Sequence, residues 1–369
     1  MLLNRVSLTC MSLKFELPEN PSFLADDAIA TIHENPGFGK FFTDHMAVAD
    51  WNHEDGWKND RLVPYSPVAM DPAGAVYHYA QEVFEGMKAY RHADGSVWLF
   101  RPERNAARMA DSAKRLALPA LPVEDYLKAV ENLVKLDERW VPGGEEQSLY
   151  IRPFEMANED FLGVRPAETV VFVVICSPVG AYFSGGVHAV DIWVESQYAR
   201  VAVGGTGSAK CGGNYAASLL PQKLAEKKGC SQVLFLDAAE HRWLEELGGM
   251  NICLITNNDE LVTPELNGNI LPGVTRDSLL QLAPDLGLTP VERPVSYEEV
   301  LNGIESGAFV EAFACGTAAV ITPIASLQDA DGVYAFKGEP KKSLELRNHL
   351  IDIQYGRVED TRGWMHWVV

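Results

Sequence analysis

Apolar residues recur at helical spacing in "NAARMADSAKRLALP", where Ala106, Met109, Ala110 and Ala113 share one face, and in "VEDYLKAVENLVKL", where Leu127, Val130 and Val134 do the same. Two amphipathic helices are predicted. The stretches "SLYIRPFEM" and "ETVVFVVICSPVG" read as strands, the second apolar enough to be buried on both faces. Further on, "HAVDIWVES", "SQVLFLD" and "MNICLIT" read as strands, and the turn "NNDE" folds the last of them into a hairpin with "LVTP". Between them "NYAASLLPQKLAEKKG" reads as a helix stopped by Gly229, and "TRDSLLQLAPDLG" as another. In "SYEEVLNGIESG", Ser296 and Glu299 stand at capping-box spacing. Strands and helices mix without a strict βαβ rhythm, so the expected class is α+β. Pro and Gly concentrate in "SPVGAYFSGGV" after a long strand, which places an interdomain loop over residues 178–190, between a smaller N-terminal domain (1–177) and a larger C-terminal one (191–369).

Composition narrows the function classes. The chain of 369 residues is 47% hydrophobic and 22% charged, which is ordinary for a globular protein with a sizeable core. Its net charge of −20 argues against nucleic acid or an anionic membrane as partner, since phosphates are bound through clustered Lys and Arg. Small anionic substrates remain compatible, because a few buried arginines reverse the local field. The six cysteines (Cys10, Cys176, Cys211, Cys230, Cys253 and Cys315) form no CxxC pair and no metal-ligand spacing. Buried thiols in a reducing cytoplasm and no metal are expected. No apolar run approaches the roughly 18 residues of a membrane span, and "MLLNRVSLTC" is too short for a secretory signal. Met11 offers a second start, so residues 1–10 are assigned no role.

One stretch carries distinctive chemistry. In "GGTGSAKCGGNYAASLL" a single lysine, Lys210, stands among five glycines. A lysine amine becomes a nucleophile when desolvation lowers its pKa, and its usual covalent partner is an aldehyde, most commonly pyridoxal phosphate. Glycines on both sides let the backbone approach a flat ring and its phosphate closely. A strand-to-helix turn with a solvated lysine would satisfy the same residues, so the rest of the sequence must decide. A pyridoxal site also needs an acid for the ring nitrogen, donors for the phosphate and a partner for the phenolic oxygen. "WLEELGGMNICLI" supplies Glu246 at the head of a buried-looking strand, while adjacent Glu245 reads as an exposed loop acid. Val274 and Thr275 open a helix, where free backbone N–H groups favour an anion. Thr317 in "CGTAAV" offers a second such turn, and Arg108 a balancing charge.

The segments "FEGMKAYR", "LYIRPFEMANEDFLGV", "GGTGSAKCGGNYAASLL", "EELGGMN", "ILPGVTR" and "ACGTAAV", in this order and spacing, closely resemble the branched-chain amino acid aminotransferases of the fold type IV (D-amino acid aminotransferase-like) pyridoxal phosphate enzymes. The similarity runs from about Phe38 to the C-terminus. It implies that Lys210 is the Schiff-base lysine and proton shuttle, that Tyr215 bonds the phenolic oxygen, and that Glu246 partners the pyridine nitrogen. It assigns Arg108, Val274, Thr275 and Thr317 to the phosphate. Phe38, Tyr79, Phe84 and Tyr182 are implied to line an aromatic pocket for the branched side chain. Tyr150 and Arg152 match the pair that takes glutamate's distal carboxylate, and Thr317 with Ala318 the turn that receives the α-carboxylate. Leu162 and Val164 match a loop reaching into a partner subunit's pocket, so a homodimer is implied, acting on small amino acids and 2-oxo acids by ping-pong transamination.

Two departures from the family stand out. The CxxC pair that animal members carry after the "GTA" turn is replaced by Ala319 and Thr322, so no such redox switch is expected. Gly249 stands where those relatives have a threonine. The rival readings are a D-amino acid aminotransferase or aminodeoxychorismate lyase of the same fold, and a non-catalytic binding or scaffold relative. Against the first two stand "YIRPF…FLGV" and the aromatic set; against the last, the joint presence of Lys210, Tyr215, Glu246 and Arg108.

Overall fold

The computed structural model describes residues 12–180 and 187–369. Tyr182 and Cys10 lie outside the described residues. Strands β1 (His45–Asn52), β2 (Gly56–Pro64), β3 (Glu82–Phe84), β4 (Met87–Arg91), β5 (Val97–Phe100), β6 (Ser148–Ala157) and β7 (Thr169–Val179) come first, with helices α1 (Asp26–Glu34), α2 (Ala75–Tyr79), α3 (Pro102–Arg115) and α4 (Val123–Leu136). After the connection come β8 (Val190–Glu195), β9 (Gln232–Leu236), β10 (Leu244–Leu247), β11 (Asn251–Thr256), β12 (Glu260–Thr263), β13 (Thr289–Glu292), β14 (Phe309–Gly316), β15 (Val320–Gln328), β16 (Val333–Ala335) and β17 (Met365–Trp367). Their helices are α5 (Gly212–Lys227), α6 (Val274–Leu282), α7 (Tyr297–Ser306) and α8 (Lys341–Gln354).

Two sheets result. The first has eight strands in the order β17-β5-β4-β6-β7-β1-β2, with β3 on β6; the second has nine, ordered β10-β9-β8-β15-β14-β11-β12-β13, with β16 on β15. The change of sheet falls between Val179 and Val190. The C-terminal strand, assigned to the second domain by the sequence, pairs instead with β5 through Met365↔Phe100 and Trp367↔Trp98. Such a return depends on a long-range pairing that no local period announces.

Alternation along each strand explains how the layers form. On β6, Leu149 and Ile151 enter the core with Met109, Ala113, Val130 and Leu133 of α3 and α4, leaving Tyr150 and Arg152 on the other face. β7 is buried on both faces, as expected: Phe172 and Val174 join that core, while Val171 and Val173 pack with Met46 and Val48. β11 divides likewise. Cys253 and Ile255 meet α6 and α8, whereas Ile252 and Leu254 meet α7. The five described cysteines are buried and free.

Local signals are met with two adjustments. α5 ends where Gly229 takes φ +81°, a conformation that favours glycine. α6 ends at Leu282 and passes into a 3₁₀ turn, Ala283–Leu286, because Pro284 has no N–H to continue the ladder. At α7, Ser296 Oγ accepts from Glu299 N at 3.1 Å, but the Glu299 carboxylate binds Arg293 instead of completing the capping box.

Candidate active site

Lys210 lies where the two sheets meet. Its backbone N donates to Ser112 Oγ of α3 at 2.9 Å, and its carbonyl accepts from Phe84 N of β3 at 2.9 Å. The peptide is therefore pinned by α3 and β3 while its side chain enters a cavity also lined by Glu246 and Thr317. α5 begins two residues later and has no side-chain cap of its own; Glu82 supplies one from outside by accepting from Gly212 N. One helical turn on, Tyr215 Oη accepts from Lys210 Nζ at 2.6 Å. Burial, with the Arg108 guanidinium nearby, pulls the Lys210 ammonium down to about 8, and burial raises the Tyr215 phenol. The amine is thus a far better nucleophile than an exposed lysine near neutral pH.

Glu246 stands across the same cavity on β10, 4% exposed. Arg200 Nη2 lies 2.6 Å from one of its oxygens, while Asn251 Nδ2 and Leu271 N donate to the other at 3.1 and 3.3 Å. Burial pushes the carboxyl up to about 7, with Arg200 pulling the other way. Arg200 also donates to the carbonyls of Gly207 and Asn269, so the acid is tied to the glycine loop that carries Lys210. Glu245, expected on an exposed loop, is buried instead: Asn269 Nδ2 donates to it at 2.7 Å, and burial raises its carboxyl to about 7 as well. The two acids belong to a short strand buried along its whole length, separate from the strand that begins at Asn251.

Arg108 is buried and already bound. Its Nε and Nη2 donate to the two oxygens of Glu85 at 2.7 and 2.8 Å, and Nη1 to Pro272 O at 3.1 Å. Burial alone would raise the Glu85 carboxyl, yet Arg108 holds it below the usual range. Of the five guanidinium N–H groups roughly two remain free for an anion. Close by, α6 opens with Val274 and Thr275 after Gly273, with no side-chain cap, so their backbone N–H groups are unspent. A Cβ at Gly273 would collide with Asn251 Oδ1, so the cradle has no space for a larger residue. Thr317 sits just past β14 and lines the same cavity.

That cavity has a volume of about 230 Å³ and brings together Lys210, Tyr215, Glu246, Arg108, Val274, Thr275, Thr317 and Ala318 with Phe38, Phe84, Tyr150 and Arg152. Arg152 Nη2 donates to Tyr150 Oη at 3.0 Å, and its guanidinium lies 4.9 Å from the centre of the Phe84 ring. Gly249 lines the wall beside Tyr215. Tyr79 is not among the lining residues; its Oη donates to Leu162 O at 2.7 Å on the outer surface, where Leu162 and Val164 are exposed. A larger cleft of about 420 Å³ opens beyond Arg108 and contains neither Lys210 nor Glu246. Sequence reasoning missed Arg200, Glu82 and Glu85. Glu85 sits within the quoted "FEGMKAYR", but only its burial beneath Arg108 reveals its task.

An electrophile-seeking lysine, a buried acid across the cavity and an uncapped helix start beside a half-spent arginine fit pyridoxal phosphate in each of its parts. The comparisons agree. The pattern described as amino-transferase class IV matches residues 82–327. The chain is 52% identical over 354 residues to a probable branched-chain-amino-acid aminotransferase of Streptomyces coelicolor, covering 95% of this chain and 98% of that protein. It is 49% identical over 359 residues to the branched-chain-amino-acid aminotransferase of Mycolicibacterium smegmatis, covering 96% and 98%. The crystal structure of the branched-chain amino acid aminotransferase from Thermobaculum terrenum in its PLP form superposes with a TM-score of 0.72 at 27% identity, over 88% of this chain and 98% of that one. With the lysine, the acid and the anion cradle gathered in one cavity, this chain belongs to the class IV aminotransferases, as a pyridoxal phosphate-dependent transaminase of branched-chain amino acids.

Proposed function

We propose a division of labour within the cavity, carried by one observation: Lys210, with Tyr215 at 2.6 Å, and Glu246, held by Arg200, belong to the same enclosed space. When bound, pyridoxal phosphate supplies an aldehyde for amine capture and a ring that draws electron density from the substrate's Cα. The remaining free N–H groups of Arg108, the backbone N–H groups of Val274 and Thr275, and Thr317 would hold its phosphate. Glu246, as a carboxylate facing the ring nitrogen, would keep a proton there by charge attraction. Tyr215 would face the phenolic oxygen.

With its amine free, Lys210 would take the proton from Cα as a branched-chain amino acid becomes its 2-oxo acid, and would deliver a proton to Cα as 2-oxoglutarate becomes glutamate. Its lowered basicity lets it hold that proton briefly. Phe38 and Phe84, with Tyr182, would pack the branched side chain; Arg152 and Tyr150 would meet the distal carboxylate of glutamate; the Thr317–Ala318 turn would receive the α-carboxylate. No helix among the described residues is long and apolar enough to cross a membrane, and the buried free thiols support a cytoplasmic location.

The working unit is a homodimer in which Tyr79, Leu162 and Val164 close the partner's cavity. Their shared exposure and the Tyr79 to Leu162 bond support this. Mixed-subunit complementation tests it. Lys210→Ala and a Leu162→Asp/Val164→Asp double variant should each be nearly inactive, whereas subunits exchanged between them should recover about a quarter of wild-type activity, since random pairing makes half the dimers mixed, each with one intact site. No recovery, with exchange verified by differently tagged chains, would refute the shared pocket.

A further inference from the structure

We propose that Lys88 is a positioning residue for substrate: from the first sheet, its buried ammonium holds the Thr317–Ala318 turn in place and sets a positive charge behind the seat of the substrate's α-carboxylate. The inference rests on the reading above that this turn receives that carboxylate.

Lys88 lies inside "FEGMKAYR" on β4, 8% exposed, in a segment whose neighbours Met87 and Ala89 are core residues. A buried ammonium is costly unless it is bonded. Its Nζ donates to Ala318 O at 2.9 Å, joining the first sheet to the β14–β15 turn of the second across 230 residues. The register Lys88↔Tyr150 between β4 and β6 puts Lys88 on the same face as the cavity-lining Tyr150. The turn it holds is tight. Gly316 pairs with Val320 across it, and Val320 has φ +61°, a conformation β-branched side chains resist.

Charge accounting strengthens the case. Glu146 influences Lys88 but is itself bound by Arg347, Nη1 to Oε1 at 3.0 Å. One half-buried carboxylate thus faces two buried cations, and the cluster keeps a positive surplus. Burial pulls the ammonium down to about 8, the direction expected where compensation is incomplete. Two spaces lined by Lys88 are about 20 Å³ each, too small for a separate organic anion, which leaves the surplus for a group seated on the turn.

The test is binding to the pyridoxal phosphate-loaded enzyme of two non-reacting leucine-shaped probes, 4-methylvalerate and the neutral 4-methylpentan-1-ol, by calorimetry. Wild type should prefer the acid. Lys88→Met should weaken the acid about tenfold or more, as expected for a lost charge-assisted contact, while the alcohol and cofactor occupancy stay unchanged. Lys88→Gln, which keeps a donor without charge, should fall between, and Lys88→Arg should restore part of the preference. Equal weakening of both probes would reduce Lys88 to a packing residue and overturn the proposal, as would a preference for the acid that survives in every variant. If wild type itself does not prefer the acid, the carboxylate seat is wrong, and the proposal goes with it. Should Lys88→Met not fold, the comparison of Lys88→Gln with Lys88→Arg decides.

Discussion

At the cofactor end of the cavity Glu246 and Arg108 are 4% and 9% exposed, whereas Phe38 on the cavity wall is 49% exposed and, on the outer surface, Tyr79, Leu162 and Val164 expose 43%, 63% and 84%. The inner end is assembled from ion pairs that one chain encloses: Arg200 on Glu246 and Arg108 on Glu85. The exposed end consists of aromatic and aliphatic side chains with little of their own chain around them. The difference follows from what each end must do. Electrostatic control works where water is excluded and dipoles are fixed beforehand. Selection of an apolar side chain needs only a surface that another can close over, and such a surface must also open to release product.

The most damaging change should fall at the inner end. Glu246→Gln keeps size and hydrogen bonding but removes the charge that retains the ring-nitrogen proton. We expect kcat for leucine to drop on the order of a hundredfold or more, about 2.7 kcal/mol at the barrier, with a larger isotope effect from α-deuterated leucine. A near-wild-type rate at full cofactor occupancy would show that Glu246 is not the ring nitrogen's partner. Midway along the cavity, Arg152→Ala should weaken glutamate and 2-oxoglutarate about ten- to hundredfold relative to leucine, because only they carry a distal carboxylate and a charge-assisted bond contributes about 1.5–3 kcal/mol. Equal losses for leucine and glutamate would rule that out.

The mildest effect should come from Glu245, which is buried beside Glu246 and lies outside the cavity lining. Burial raises both carboxyls to about 7, so the folded apoprotein keeps protons that the unfolded chain releases above about 4.5. Stability is then greatest below that lower value and declines as pH rises towards 7. Glu245→Gln should flatten part of this slope in urea midpoints between pH 5 and 8 and leave kcat within a few-fold of wild type. An unchanged slope would mean that Glu245 is not titrating across that interval.

Glu245 also shows where sequence reasoning stopped. It and Glu246 are the same residue type, adjacent, in a segment with no clear period; one was assigned a buried role and the other an exposed one, and both are buried. Residue type carries information about burial only when a periodic neighbourhood says which way the chain faces. Where that period exists, as in Pro102–Arg115 and Val123–Leu136, elements and their inner faces were legible. Tyr215 was named only through the family resemblance, and the structure places its hydroxyl 2.6 Å from Lys210 Nζ.

The sequence by itself therefore determined the α+β elements, their stops and the lysine among its glycines, and, through the resemblance, the tyrosine and the aminotransferase family. Tertiary structure alone decided that Arg200 meets Glu246 from 46 positions away, that Glu85 accepts two of the hydrogen bonds of Arg108, that β17 returns to the first sheet, and that Lys88 reaches Ala318. The physical reason is the range of the interaction. Periodicity, capping and turn chemistry act within a few residues and leave their mark locally, whereas a buried ion pair is set by the packing of separate elements, which brings two charges together once water has been excluded from both.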